Sequence, residues 1–422
     1  VKLRTLFFLI SLSAVAVLLG VGKYYFLPRY LVSRVASEVI SSPAPSPLSA
    51  KDLDQQNIEQ VEAIFQAMSP DQRITQALVF PVQLSSSSST QSGRLAGSLD
   101  WISERNPGFV MIFGQSVSTQ SALHFTTAVR QGVTSQSAVL PSFAADHEGG
   151  RVQRLNGTGF TKLPSAEELC ESNTQRRRSL YQQSAQELSA AGLQIVFAPV
   201  IDLRLRASPS AVASPSGSLN ASALGDRICS DDPQTVEENA RLWITTFEQA
   251  GVASVIKHYP GIGTSQLDLH REREAVSTPE EERKLFTRLL EVFPLLSVMS
   301  THVLVPQSSP DSLPQACSLS KECLGELSLS PPQLLFTDAL DMEAAQAATS
   351  SKKPLSQLSR EAIEAGNTVL VFGADTSVSE LEEVREVLVR RYLVSDEFRQ
   401  QLDQSVRKIL YFKLRTKSLA AP

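Results

Sequence analysis

A (β/α)8 barrel is the fold class this sequence predicts, and three observations carry the expectation. From residue 53 onward, short runs rich in Val, Ile, Leu and Phe alternate with longer amphipathic segments, the pattern of βα units wound round a parallel sheet. The runs number eight, and each reads as a continuous apolar strand buried on both faces, which favours a closed barrel over an open doubly wound sheet. Polar residues fall at the ends of the runs: Asp146, Asp202, Lys257 with His258, His302 and Asp338 close the third to the seventh. In a barrel those C-terminal ends form one face, the face that carries active sites. No G-x-G-x-x-G follows the first run, which weakens a dinucleotide-binding alternative.

The N-terminus stands outside this pattern. Residues 5–22 form an uncharged stretch of about 18 residues between Arg4 and Lys23, apolar on every face and near the minimum for a spanning helix. Lys2 and Arg4 precede it, and neither an A-x-A site nor a lipobox cysteine follows, so an uncleaved signal anchor is favoured over a cleaved peptide. Basic residues flank both ends, which leaves orientation open; an extracytoplasmic domain is the expectation, secreted if the segment is cleaved. "SSPAPSPLSA" at 41–50 suits a semi-extended spacer. The expected organisation is therefore an anchor over 1–23, a Ser/Pro-rich linker over 24–52 and one barrel domain over 53–420.

The eight strands are expected at 77–84, 109–113, 138–146, 194–202, 252–258, 296–302, 333–338 and 367–373. Helical patterns follow at 175–191, 234–250, 279–293, 355–365 and 379–392; the second starts at Asp232-Pro233 and ends at Gly251. "SSSSST" at 85–90 reads as a surface loop.

With 422 residues, 42% of them hydrophobic, the chain can bury a large core, and general disorder is excluded. A net charge of −5 leaves no broad basic footprint for nucleic acid. Cys170, Cys229, Cys317 and Cys323 show no zinc spacing; Cys317 with Cys323, and Cys170 with Cys229, can pair outside the cytoplasm, and reduced thiols are equally compatible. Five His occur, so their placement is informative.

Asp338 in "FTDALDM" follows its strand directly and is placed to act as a nucleophile, or more simply to cap a helix starting near Met342. "KHYPGIGTSQLDLH" supplies a partner. Asp268 and His270, two apart in an extended loop, point to one side and can hydrogen-bond, which suits the imidazole for proton transfer. Gly261 and Gly263 are expected to let this loop swing over a substrate. "ADHEGGRVQRL" contributes Asp146, Arg151 and Arg154, and "GDR" contributes Arg227. Carboxylates mixed with Arg, Lys and His suit polyhydroxylated ligands, whose hydroxyls need donors and acceptors.

"ADHEGGRVQRL", "FAPVIDL", "ALGDRICSDDP", "KHYPGIG", "LDLH", "VMSTHV" and "LLFTDALDM" resemble, in order and approximate spacing over about residues 55–375, the family 3 glycoside hydrolases in their single-domain β-N-acetylglucosaminidase branch. The resemblance implies a (β/α)8 catalytic domain that hydrolyses terminal β-N-acetylglucosaminyl residues with retention, through a covalent glycosyl-enzyme intermediate. It assigns Asp338 as nucleophile, His270 as acid/base assisted by Asp268, and Asp146, Arg154, Arg227, Lys257 and His258 as substrate-binding residues. It implies no metal or cofactor, and an amino-sugar glycan such as a peptidoglycan fragment or chitooligosaccharide as substrate; nothing in the sequence points to an obligate oligomer, and a monomer is the expectation. The D-x-H pair, with only about 45 residues after the last strand, separates this branch from the two-domain β-glucosidases. His147 stands where Gln is common, Leu269 where Ser is common, and "DALDM" replaces "DDLSM".

Two other readings use the same residues. A metal-dependent hydrolase would recruit His258, His302, His270 and Asp268 as ligands, but Lys257 would then place a cation beside the metal. A non-catalytic glycan-binding protein would keep the motifs without turnover, and a β-glucosidase or β-xylosidase would differ only in the sugar.

Overall fold

The computed structural model describes residues 50–85, 92–134, 139–204, 223–265, 280–308, 313–345 and 352–418. The expected anchor and most of the linker lie outside these residues. Among the described residues no helix is long and apolar enough to cross a membrane. The chain divides into two compact units, residues 1–56 and Asn57–Pro422, and the barrel belongs to the second.

Eight parallel strands form one sheet in sequence order: β1 (Val79–Ser85), β2 (Phe109–Gln115), β3 (Ser142–Ala145), β4 (Ile195–Val196), β5 (Ala253–Tyr259), β6 (Ser297–Ser300), β7 (Leu335–Ala339) and β8 (Val369–Val371). A parallel bridge from Leu78 to Leu370, with Leu370 N–H donating to Ala77 O at 2.8 Å, brings β8 back to the start of β1. Every expected run therefore supplies a strand. Several ladders are shorter than their runs, and in two of them a proline supplies the reason. The run 194–202 pairs regularly only over Ile195–Val196, because Pro199 has no N–H to donate; pairing resumes at Val200 and Ile201 against Lys257. The run 138–146 forms a regular ladder only over Ser142–Ala145, just after Pro141, which likewise has no N–H to donate.

Helices α1 (Ser92–Arg105), α2 (Thr119–Thr134), α3 (Thr174–Ala190), α4 (Pro233–Gln249), α5 (Glu280–Val292), α6 (Lys321–Gly325), α7 (Leu355–Ala365), α8 (Val378–Val394) and α9 (Asp396–Arg415) follow the strands. α4 starts as its sequence dictates, with Asp232 accepting from Thr235 N–H at 2.8 Å and Pro233 in the first turn, and it stops before Gly251 at φ 79°. The β6–β7 crossover departs from the alternating pattern. It is built from a short hairpin (Leu304–Val305 with Gln315–Ala316), a 3-10 turn and the five-residue α6.

Phe109 of β2, Phe197 after β4 and Phe336 of β7 meet edge to face, with ring centroids 5.4 Å apart in both pairs, and fill the barrel below its C-terminal mouth. The interior is thus a packed core, and only the upper layer is free to hold polar side chains. Cys170 is bonded to Cys229 and Cys317 to Cys323, the two pairings the sequence allowed.

Candidate active site

A cavity of about 340 Å³ opens at the C-terminal mouth. Asp146, Glu148, Arg154, Arg227, Lys257, His258 and Asp338 all line it, above a floor that includes Met111 and Met299. Six of the eight residues singled out from sequence therefore share one cavity. The other two, Asp268 and His270, lie outside the described residues.

Each side chain is delivered by a local device. Asp146 ends β3, and the chain then turns back as a small antiparallel hairpin, His147–Gly149 against Val152–Gln153. Gly149 (φ 99°) makes that turn possible, and a Cβ there would lie 2.3 Å from Pro164 O. Because alternate residues of an extended segment share a side, Glu148 joins Asp146 in the cavity while His147 faces away. His147 is buried with neither ring nitrogen hydrogen-bonded, packs against Phe160 with centroids 6.0 Å apart, and burial pushes its pKa down to about 3. Arg227 comes from a 3-10 turn, Gly225–Arg227, and Lys257 and His258 close β5. The peptide between Lys257 and His258 is cis, and both side chains line the cavity.

These groups form a continuous network. Lys257 Nζ lies 2.7 Å from Asp146 Oδ1 and 2.6 Å from Glu148 Oε1. Arg227 grips Glu148 with two hydrogen bonds of 2.8 and 2.9 Å, the bidentate geometry that suits guanidinium to carboxylate. Burial alone would raise the Glu148 pKa, but Arg227 and Lys257 outweigh it and hold the carboxyl at about 2. Burial acts on Lys257 in the opposite direction and is overcome by Asp146 and Glu148, so its pKa is raised and the ammonium is kept charged. Arg154, half exposed, sits 3.8 Å from Asp146 and over the ring of Phe113.

His258 is fixed at both ring nitrogens. Nδ1 lies 2.8 Å from Asp202 Oδ2, and Nε2 lies 3.1 Å from Arg227 Nη2. A guanidinium only donates, so Nε2 accepts and Nδ1–H donates to Asp202. Asp202 is fully buried and also accepts from the backbone N–H groups of His258 (3.1 Å) and Ile262 (2.8 Å). Asp338 protrudes from the end of β7, half-buried, with its Oδ1 accepting from Ala339 N–H at 2.8 Å. Among the described residues no regular helix starts at Met342, only a 3-10 turn over Glu343–Ala345.

His302 is fully buried behind this site, its Nδ1 2.6 Å from Ser318 Oγ and its Nε2 2.9 Å from Ala339 O, where it braces the residue next to Asp338. The metal reading therefore fits poorly: His258 and His302, its two described histidines, have both nitrogens engaged. Gly261 and Gly263 also depart from expectation. A Cβ on Gly263 would lie 1.7 Å from Leu203 O, and one on Gly261 2.3 Å from Glu282 Oε2. Both are glycines because backbone and carboxylate approach them closely, not because they form a free hinge. Arg151 does not line the cavity itself but donates to Ala223 O and Leu224 O, two residues of its wall.

A parallel barrel whose mouth carries buried carboxylates held among Lys, Arg and His defines a barrel enzyme for polar, hydroxyl-rich substrates. The family model described as the glycosyl hydrolase family 3 N-terminal domain matches residues 94–412. Proteins named β-hexosaminidase from Nitrosomonas eutropha and Nitrosospira multiformis are similar to this chain. The first is 30% identical over 65% of this chain and 76% of that protein, the second 31% over 56% and 66%. Among solved structures, a β-N-acetylhexosaminidase from Beutenbergia cavernae superposes with a TM-score of 0.65 at 24% identity, over 81% of this chain and 98% of that one. A family 3 β-N-acetylglucosaminidase from a Paenibacillus strain gives 0.67 at 22%, over 84% and 64%. The chain belongs to glycoside hydrolase family 3, grouping with its β-hexosaminidase members, and is a glycoside hydrolase.

Proposed function

We propose that the chain is a retaining β-N-acetylhexosaminidase that releases terminal β-linked N-acetylglucosamine from cell-wall or chitin-type glycans. The observation that carries this reading is Asp338 at the end of β7, oriented by its neighbour's N–H and facing the same cavity as Asp146, Arg227, Lys257 and His258. Asp338 attacks C1 of the sugar as the bond to the leaving oxygen breaks, and His270, assisted by Asp268, protonates that oxygen. His270 then takes a proton from water, which attacks C1 and frees Asp338. Asp146, Arg154, Arg227, Lys257 and His258 bind and orient the sugar hydroxyls, and no metal or cofactor takes part. The β-hexosaminidase name of the relatives supports an amino-sugar substrate. The reading extends to a monomer held at a membrane by residues 1–23, with the catalytic domain outside the cytoplasm; two disulfides favour such a compartment.

The test is hydrolysis of 4-nitrophenyl β-N-acetylglucosaminide beside the β-glucoside and β-xyloside. The N-acetylglucosaminide is expected to be the preferred substrate, Asp338→Ala to lose at least about a thousandfold in kcat, and His270→Ala to fall steeply. Equal activity in both variants contradicts the mechanism. Preference for another sugar contradicts the specificity, and glycan binding without turnover contradicts the enzyme.

A further inference from the structure

Behind the site, on the helix side of β5, lies a carboxyl that the reaction does not use. Glu282 belongs to the first turn of α5, beside the exposed Glu280 and Glu281, but is itself fully buried. Its Oε1 accepts from Leu203 N–H at 2.7 Å, and the carboxyl also interacts with the backbone N–H of Gly263. Its Oε2 is buried without a hydrogen-bond partner, against Gly261. Leu203 follows Asp202, and Gly261 and Gly263 flank Ile262, whose N–H Asp202 accepts. Asp202 and Glu282 thus tie together the same two chain segments, Asp202 on the cavity side and Glu282 on the helix side. The two glycines are bare because Glu282 and Leu203 O occupy the space a Cβ would need.

We propose that Glu282 is a positioning residue: by holding the backbone N–H groups of Leu203 and Gly263 it clamps the turn after β5 onto the end of β4, and so fixes Asp202 and the imidazole of His258 at the substrate cavity. The inference rests on the glycosidase reading in that His258 is taken to contact the sugar. A hydrophobic side chain here leaves two buried N–H groups unpaired, each a desolvation cost that the turn relieves by moving. Burial first, and then the neighbouring Asp202, raise the Glu282 pKa to about 8. Gln, which keeps an acceptor at Oε1, is a close mimic of the neutral carboxyl.

The experiment uses the full chain labelled with 15N-histidine, with the His258 ring signal assigned by its loss in His258→Asn. Alongside this, kcat/KM is measured on 4-nitrophenyl β-N-acetylglucosaminide. Glu282→Gln is expected to keep the His258 signal and to stay within about threefold of the parent, while Glu282→Leu, folded by circular dichroism, shifts the signal and loses about ten- to a hundredfold. An unmoved His258 signal with parental kcat/KM in Glu282→Leu overturns the proposal, and so does a Gln variant as damaged as the Leu variant. If Glu282→Leu does not fold, Glu282→Asp replaces it with the same readings, its shorter stem failing to reach both N–H groups. If no β-glycoside is hydrolysed, the function fails, and the His258 signal still decides the clamp.

Discussion

Glu148 holds the polar network together: among the described residues it joins Lys257 to Arg227. Removing it leaves two buried cations with only part of their counter-charge, the costly way to break a buried ion pair. Glu148→Ala is therefore expected to lose about 3 kcal/mol in urea unfolding, together with most activity. Its pH signature follows from a pKa lowered from 4.5 to about 2 in the folded protein. The stabilisation is complete above the unfolded value and is lost progressively as the pH falls from there through the folded one. The stability advantage of the parent over Glu148→Gln is thus expected to be full at about pH 6 and to shrink between about pH 4.5 and 2, as urea unfolding across that range would show. Sequence reading singled out Asp146 and overlooked Glu148, although the two-residue spacing placed both on one side of an extended segment. What hid it was His147 between them, a more conspicuous residue that proves to be packing, and the hairpin that orients Glu148 toward partners 79 and 109 positions away (Arg227 and Lys257). Asp202 and His302 were legible as polar strand ends, but their roles were not: one orients His258, and the other braces the backbone beside Asp338.

Strands and helices were the most legible elements, because apolar runs and amphipathic periods report burial directly. All eight runs became strands, and the α4 cap formed as Asp232-Pro233 dictates. Where Pro199 and Pro141 removed N–H donors, ladders shortened, and between β6 and β7 a hairpin and a short helix replaced a full crossover helix. The glycines after β5 carried a different message from the one their type suggests. Flexibility and close approach both select glycine, and only the fold shows Leu203 O and Glu282 against them. Gly263→Ala is accordingly expected to lower thermal stability and to reduce kcat/KM together, because the clash displaces the turn that follows His258. A hinge role would instead leave the melting temperature unchanged.

For the whole molecule, the two disulfides carry unequal weight. Cys170–Cys229 closes a sequence separation of 59 residues and Cys317–Cys323 one of 6, so restriction of the unfolded chain is worth about 4 and about 2 kcal/mol respectively. Unfolding in urea is expected to show the larger loss for the Cys170→Ser, Cys229→Ser pair, and the reverse order contradicts an entropic role. The same bridges connect the barrel to the proposed extracytoplasmic setting, since thiols that pair this way persist oxidised outside the cytoplasm. On the proposed mechanism these features serve one chemical event, the transfer of a glycosyl group onto a carboxylate at the mouth of the barrel. The most direct measurement is the intact mass of the protein after reaction with a 5-fluoro N-acetylglucosaminyl fluoride, which slows release of a covalent intermediate, followed by peptide mapping. One glycosyl adduct located on Asp338, and absent in Asp338→Ala, is the expected result; turnover with no adduct, or an adduct on another residue, would contradict the assignment of the nucleophile.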